Sequence, residues 1–283
     1  MTKGSVLITG CSDGGIGSAL ALAFQAKNYH VFATARDTRK MNALRDLPNV
    51  TLLTLDVTDP THIPTAVDTV RNHTDGSLTY LINNAGRNHF TPVLDEDLDA
   101  ARRIYETNVF GPLALTKAFA PLVIKARGSM VFITSIAGYV NTPYMGVYSA
   151  SKRSLEIIAE TLRLEMAPFG VRVLSVVTGA VRTNGQAYFD DLQLPEDSLY
   201  KPIEETVAAR ARGEDGVARM PAEEYAGHVV RAITAGRQGK FWCGNMAGSV
   251  WFGSTYLPQW MMDTGMAKGT GLDQLGDNAA KKD

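Results

Sequence analysis

Tyr148 and Lys152 stand four residues apart in a Tyr-Ser-Ala-Ser-Lys run, a spacing that puts both side chains on one face of a helix. An ammonium beside a phenol favours the phenolate, so the pair predicts a tyrosine able to give and take a proton near neutrality. Ser135 ends the apolar run Met130 to Thr134, with twelve residues between it and Tyr148. Its hydroxyl there suits polarisation of a carbonyl oxygen. Taken singly, each residue has a plainer role: Tyr148 as a packed helix aromatic, Lys152 as a solvated cation, Ser135 as a helix cap, Asn108 as a mid-helix polar residue. Only the joint spacing argues for chemistry.

A second chemistry is written at the other end of the chain, in Thr9-Gly10-Cys11-Ser12-Asp13-Gly14-Gly15-Ile16-Gly17. Glycines between a strand and a helix permit a tight turn and close approach of backbone to a pyrophosphate, and the helix N-terminus favours the anion. An ordinary glycine-rich turn is the alternative, and the flanking strand and helix count against it. About 20 residues on, a site for NAD would place an acidic residue on the ribose 2′-hydroxyl. Here the second strand ends Thr34-Ala35-Arg36-Asp37, so Arg36 suits a 2′-phosphate and Asp37 the cap of the next helix, which favours NADPH over NADH.

The elements that must position these groups follow from the hydrophobic pattern. Short apolar runs at Val6 to Ile8, His30 to Ala33, Val50 to Leu55, Leu78 to Ile82, Met130 to Thr134 and Val171 to Val177 read as strands buried on both faces. Ser18 to Lys27, Asp97 to Lys125 and Ala150 to Met166 carry apolar residues at helical spacing. Strict alternation predicts one doubly wound α/β domain with a parallel sheet of about seven strands and helices on both faces. Ligands then gather at the carboxyl ends of the strands.

The expected domain occupies residues 1–240, with a substrate lid at 184–220. Residues 241–283 are an aromatic-rich extension of the same domain, with a loose polar tail ending Lys281-Lys282-Asp283. Phe241 to Met262 is uncharged, but Pro258 and its glycines argue against a membrane span. Phe252, Tyr256 and Trp260 share one helical face if Pro258 only kinks the chain, and that face packs on the core, walls the substrate pocket or touches a membrane surface.

Composition limits the partners. The 283 residues carry a net charge of −1, which leaves no basic field for nucleic acid. Two distant cysteines, Cys11 and Cys243, and five scattered histidines imply neither a disulfide framework nor a metal site. Met1 to Gly4 leads directly into a strand with no signal peptide, so a cytoplasmic chain is expected, with peripheral contact at the endoplasmic reticulum or a lipid surface left open.

With the glycine turn, Asp56-Val57, Asn83-Asn84-Ala85-Gly86, Asn108-Val109-Phe110-Gly111, Ser135, Tyr148 and Lys152 in this order, the sequence resembles the short-chain dehydrogenase/reductase family from Val6 to about Arg237. The resemblance implies catalysis by Asn108, Ser135, Tyr148 and Lys152, Asn108 holding a water in a relay with Lys152. It implies NADPH/NADP+ bound by Gly10, Ser12, Gly15, Ile16, Gly17, Arg36, Asp56, Val57, Asn84, Ala85, Gly86, Gly179, Val181 and Thr183, with Tyr148 and Lys152 alongside. Thr183 should reach the nicotinamide carboxamide. Two departures stand out: Gly15-Ile16-Gly17 begins one residue later than the family pattern, and Thr178-Gly179 replaces Pro-Gly. Which of Gly14 and Gly15 faces the phosphates stays open at this level.

Leu194 to Tyr200, Met220 to Tyr225 and the aromatic C-terminal segment further resemble the fungal branch containing NADPH-dependent 1-acyldihydroxyacetone-phosphate reductases and reductases of secondary metabolites. The implied activity is reduction of an apolar ketone, reversible to oxidation of the alcohol, in a homodimer built through the helices of Asn108 and Tyr148. Arg87 and Arg182 are candidate cations for a substrate phosphate. Oxidation of a steroid-like or retinoid-like alcohol uses the same residues, and a non-redox cofactor-binding protein on this fold is the rival from another class.

Overall fold

The computed structural model describes residues 2–279, apart from the side chains of 186–188 and 276–279. Seven parallel strands alternate with helices: β1 (Ser5–Ile8), α1 (Ile16–Ala26), β2 (His30–Ala35), β3 (Val50–Thr54), α2 (His62–His73), β4 (Tyr80–Asn83), α3 (Leu98–Tyr105), α4 (Gly111–Ala126), β5 (Ser129–Ser135), α5 (Gly146–Met166), β6 (Arg172–Thr178), α6 (Glu204–Ala211), α7 (Ala222–Thr234), β7 (Gly239–Cys243), α8 (Ala247–Tyr256), α9 (Gln259–Ala267) and α10 (Leu272–Ala279). The strand order is β3-β2-β1-β4-β5-β6-β7, so the direction of winding reverses between β1 and β4. A crevice opens at such a switch point, beyond the carboxyl ends of the strands.

Two cores cover the sheet. On one face α1 and α7 bury Leu20, Phe24, Tyr225 and Val229 with Ile8, Val31 and Val176 of the strands. On the other α2, α4 and α5 bury Val67, Leu115, Phe119 and Leu155 with Leu7, Leu81 and Phe132. Successive strand residues feed opposite faces, which is why the inner strands are mostly apolar instead of alternating, whereas the edge strand β3, expected to be buried on both faces, is partly exposed because no strand covers its outer side. The helical stretch Leu98–Ala126 is long and apolar enough to cross a membrane by length and composition. Here its apolar side covers the sheet, with Leu115, Phe119, Leu122 and Val123 at 3% exposure or less.

The 184–220 segment is an excursion with its own small core, in which Leu194, Ile203, Val207 and Ala211 pack on Phe90 and Tyr144. The expected extension divides differently from its outline. Residue 240 lies inside β7, which completes the sheet against β6. Pro258 does more than kink the following helix. Leu257 and Pro258 are extended, so α8 ends and α9 begins anew, because a proline ring disfavours helical backbone at the residue before it. Phe252, Tyr256 and Trp260 therefore share no single helix, and they are 53%, 63% and 68% exposed, which overturns the core reading of that face. The expected loose tail is helical from Leu272 to Ala279, with Leu272 and Leu275 packed on the lid core; Lys281 to Asp283 lie outside the described residues.

The glycine turn is held by close backbone packing. Gly10 and Gly14 have φ of +74° and +73°, values open to glycine at little cost. A Cβ on Gly17 would lie 2.3 Å from the Gly10 carbonyl oxygen, so α1 sits against the turn only because that Cβ is missing. Gly17→Ala is expected to cost about 1–3 kcal/mol through forced displacement of backbone. Gly248→Ala, where a Cβ meets nothing within 4 Å, should leave the melting temperature unchanged or slightly raised. Thermal denaturation of the two variants checks the contrast.

Candidate active site

The catalytic candidates converge from three elements. Ser135 closes β5, and its Oγ accepts the Ala137 N–H at 3.1 Å, so it does cap the turn that follows. That role leaves its hydroxyl proton available, and the same hydroxyl lies near enough to the Tyr148 phenol to favour its charged form. Tyr148 lies in the first turn of α5, and Lys152 one turn on. Ser135, Tyr148 and Lys152 all line one cleft of about 460 Å³, walled by Ile136, Val140, Met145, Val181, Val250 and Met266 among others.

Burial dominates the electrostatics. The Lys152 side chain is 6% exposed, its Nζ donates to the Ile133 carbonyl at 3.0 Å, and desolvation pushes its pKa down to about 8. Tyr148 keeps some surface along the cleft, yet burial of its phenol raises its pKa above the ordinary value, with the Ser135 hydroxyl opposing the rise. The spacing alone predicts a phenol lowered by Lys152. In the folded protein Nζ lies 6.0 Å from the ring centroid and donates to backbone, and low polarity disfavours both charged forms. Tyr148 is accordingly held as the protonated acid.

Asn108 sits in a π-helical turn, Glu106–Phe110, between α3 and α4, an irregularity that recurs at functional positions. It is 0% exposed and fully engaged. Its Oδ1 accepts the Arg87 N–H at 2.8 Å, while its Nδ2 donates to the Arg87 carbonyl at 2.9 Å and to Ser151 Oγ at 3.0 Å. A Cβ built on Gly86 would stand 3.2 Å from Lys152 Nζ and 3.3 Å from Asn108 Oδ1. The absent side chain leaves a gap bordered by both polar groups.

A second cleft, of about 510 Å³, runs over the switch point and is lined by Gly10, Ser12, Gly15, Ile16, Arg36, Asp56, Val57, Asn84, Ala85, Gly86 and Thr183. Gly86, Thr183 and Ile16 line both clefts, so the two are continuous. Gly15 is the N-cap of α1 and faces this cleft, whereas Gly14 supplies the left-handed turn behind it. The first turn of α1 has neither an acidic residue nor a side-chain cap, which leaves its N–H groups for an anion. Gly17, expected among the cofactor contacts, lies behind the turn as a packing residue because its Cα face meets Gly10 and Asn84. Gly179 and Val181 line the substrate side of the junction instead of the glycine-turn side. A Cβ on Gly179 would meet the Asn245 carbonyl oxygen at 2.1 Å.

Asp37 is occupied. Its carboxylate accepts Arg39 Nε at 3.0 Å and Nη2 at 2.9 Å and caps the turn at Thr38–Lys40. Arg36 is exposed at the cleft rim with no hydrogen bond or ion pair among the described residues. Arg87 lines both clefts, whereas Arg182 is exposed and lines neither. Trp260, the expected pocket wall, does not line the substrate cleft either; Met246, Val250 and Met266 represent its segment there. Sequence reasoning passed over Thr9 and Ser151. Thr9 Oγ1 accepts the Ala85 N–H at 2.9 Å, and Ser151 links Asn108 to the Tyr148 carbonyl. Both lie inside motifs already recognised, one beside Gly10 and one between Tyr148 and Lys152.

Residues 4–193 match the family model for short chain dehydrogenases, and the chain belongs to that family. It is an oxidoreductase of the short-chain type, with a fold that binds a nicotinamide cofactor and acts on small molecules. It is 46% identical over 272 residues to a short-chain dehydrogenase of Penicillium ochrochloron, covering 96% of this chain and 100% of that one. It is 40% identical over 206 residues to the NADPH-dependent 1-acyldihydroxyacetone phosphate reductase of Schizosaccharomyces pombe, covering 71% and 69%. Among solved structures, a short chain dehydrogenase of Burkholderia cenocepacia in complex with NADP superposes with a TM-score of 0.74 at 26% identity, covering 94% of this chain and 98% of that one.

The lowered pKa of Lys152 sets a pH limit. Below about 8 its ammonium is intact, and as pH rises through that value the charge beside Gly86 is lost. Catalytic efficiency, kcat/KM, is expected to stay level in mildly acidic to neutral buffer and to fall toward about tenfold per pH unit well above 8. A profile that stays level to about pH 10, near the ordinary lysine value, would deny Lys152 this part.

Proposed function

We propose that the chain is an NADPH-dependent carbonyl reductase, reversible to an alcohol dehydrogenase, acting on an apolar ketone. The observation that carries the reading is the pair of neighbouring Ser135 and Tyr148 hydroxyls in an apolar cleft continuous with the cleft at the α1 N-terminus. A bound nicotinamide supplies the hydride. The chain's own part is to hold the carbonyl oxygen between the Ser135 and Tyr148 hydroxyls and to deliver the Tyr148 proton to it. Lys152, at the gap beside Gly86, is the titratable group that resupplies it, and Asn108 holds the Arg87 loop that borders this gap. A phenol kept protonated by burial stands in the form that donates to a carbonyl oxygen, and the net direction follows the ratio of reduced to oxidised cofactor.

Preference for NADPH is supported by the free Arg36 guanidinium and by Asp37, which Arg39 withdraws from any ribose hydroxyl. The names of two similar proteins point the same way, one NADPH-dependent and one solved with NADP. A homodimer through α4 and α5 is also part of the proposal, supported by exposed Leu113, Ile157 and Leu164 along those helices and Phe110 just before α4. So is a reducing, cytoplasmic setting, which suits the two free buried cysteines.

Tyr148→Phe is expected to leave NADPH binding near normal and to lower turnover by about 10²–10⁴, the usual contribution of general acid catalysis. Steady-state kinetics on a panel of apolar ketones test it; turnover within about twofold of the parent is too small a loss for the proton donor. Arg36→Ala should raise KM for NADPH by about one to two decades and leave KM for NADH nearly unchanged, since one charge-assisted contact is worth about 1.5–3 kcal/mol. Equal changes for both cofactors would remove Arg36 from the 2′-phosphate.

A further inference from the structure

The lid and its flank, Glu196 to Glu224, hold eight acidic residues and four basic ones. Three of the four cations are paired: Lys201 with Glu196 and Glu204, Arg212 with Glu205 and Glu214, and Arg219 with Asp215. Arg210 is the exception, with no ion pair among the described residues although acid exceeds base around it. Its Nη1 donates to the Gly269 carbonyl at 3.3 Å, and its Nε is buried without a hydrogen-bond partner among the described residues. A buried donor left unpaired carries a desolvation penalty that a further acceptor would relieve.

Arg210 also lines the cleft that holds Ser135 and Tyr148. Its helix is anchored by Val207 and Ala211 in the small core with Phe90 and Tyr144, which fixes the side chain's origin. The Tyr144 hydroxyl, bonded to the Thr270 carbonyl at 2.8 Å, lies within reach of the Arg210 charge and also of Asp273 and Tyr200. Asp215 is the one carboxylate among the described lining residues, and both its oxygens are held by Arg219 at 3.0 Å. Apolar Val140, Met145, Val217, Val250 and Met266 make up much of the remaining wall.

We propose that Arg210 binds an anionic group at the far end of an elongated substrate whose carbonyl is held at Ser135 and Tyr148. The substrate class is then an apolar ketone carrying a carboxylate or a phosphate, either of which matches the planar fork of a guanidinium. The inference rests on the ketone-reductase reading of the cleft. It adds a specificity residue on the lid, separate from the groups that touch the reacting carbonyl.

The test is calorimetric titration of the NADP+-loaded enzyme with methyl-ketone carboxylates of increasing chain length, the matching ketone phosphates and the neutral methyl esters. At some chain length one anion series should bind about tenfold or more tighter than its ester, as expected for a charge-assisted contact. Arg210→Gln should bring anion and ester within about twofold, and Arg210→Lys, which keeps charge but loses the fork, should fall between. Ester affinity unchanged in both variants excludes a general loss of folding. Equal binding of anions and esters at every length, or an anion preference that survives Arg210→Gln, overturns the proposal. Binding is read without turnover, so the two readings fail separately: anions bound through Arg210 but never reduced by NADPH defeat the reductase reading alone.

Discussion

One short loop, Asn84 to Arg87 after β4, is tied from both sides, and the two halves of the active site depend on it. Asn84 Nδ2 donates to the Thr9 carbonyl at 2.7 Å and the Gly10 carbonyl at 3.2 Å, which locks the loop to the glycine turn across the β1–β4 switch point. Asn108 closes the opposite side through both backbone groups of Arg87. These side-chain amides satisfy backbone groups that no strand or helix can reach, so the crevice keeps its shape without a ladder of regular hydrogen bonds. Gly86 in the same loop leaves a gap bordered by Lys152 Nζ and Asn108 Oδ1.

Low polarity then sets the chemistry on that frame. Lys152 is nearly inaccessible and has a backbone carbonyl as its hydrogen-bond partner, so its ammonium is held at a cost that lowers its pKa. The same surroundings raise Tyr148, and the result is a neutral acid poised beside Ser135. Cys11, in the middle of the glycine turn, obeys the same rule: its buried thiol is pushed up to about 12, which makes it an inert packing group.

The lid and C-terminal segment give the substrate side its character. Lid residues pack on Phe90 and Tyr144 and place Arg210, Asp215 and Arg219 on a cleft otherwise rich in aliphatic side chains. Met246, Val250 and Met266 close the cleft from the other direction, while the aromatic residues of α8 and α9 face outward. Substrate contacts thus come from segments whose hydrophobic pattern is irregular, and the hydride and proton machinery from the regular βα units.

How much of this is legible in the chain depends on whether the physics is local. Doubly buried strands, the glycine turn, the one-face spacing of Tyr148 and Lys152, and Asp37 as a cap are all properties of a few neighbouring residues, and the amino-acid sequence by itself determined them. So did the family, through the joint order of its motifs. What only the tertiary structure decided involves partners far apart in the chain. Gly17 proved a packing residue because Gly10 lies opposite it, and Gly15 took the cleft because Gly14 was needed for the turn. Tyr148 came out raised because burial, which no spacing reveals, outweighed the opposing effect of the Ser135 hydroxyl. Trp260 turned outward because Pro258 restarts the helix, and Arg210 emerged without an ion pair among the described residues because pairing is fixed by which lid carboxylates fold within reach. Periodicity encodes which face is buried; distances between remote side chains exist only once the chain has folded.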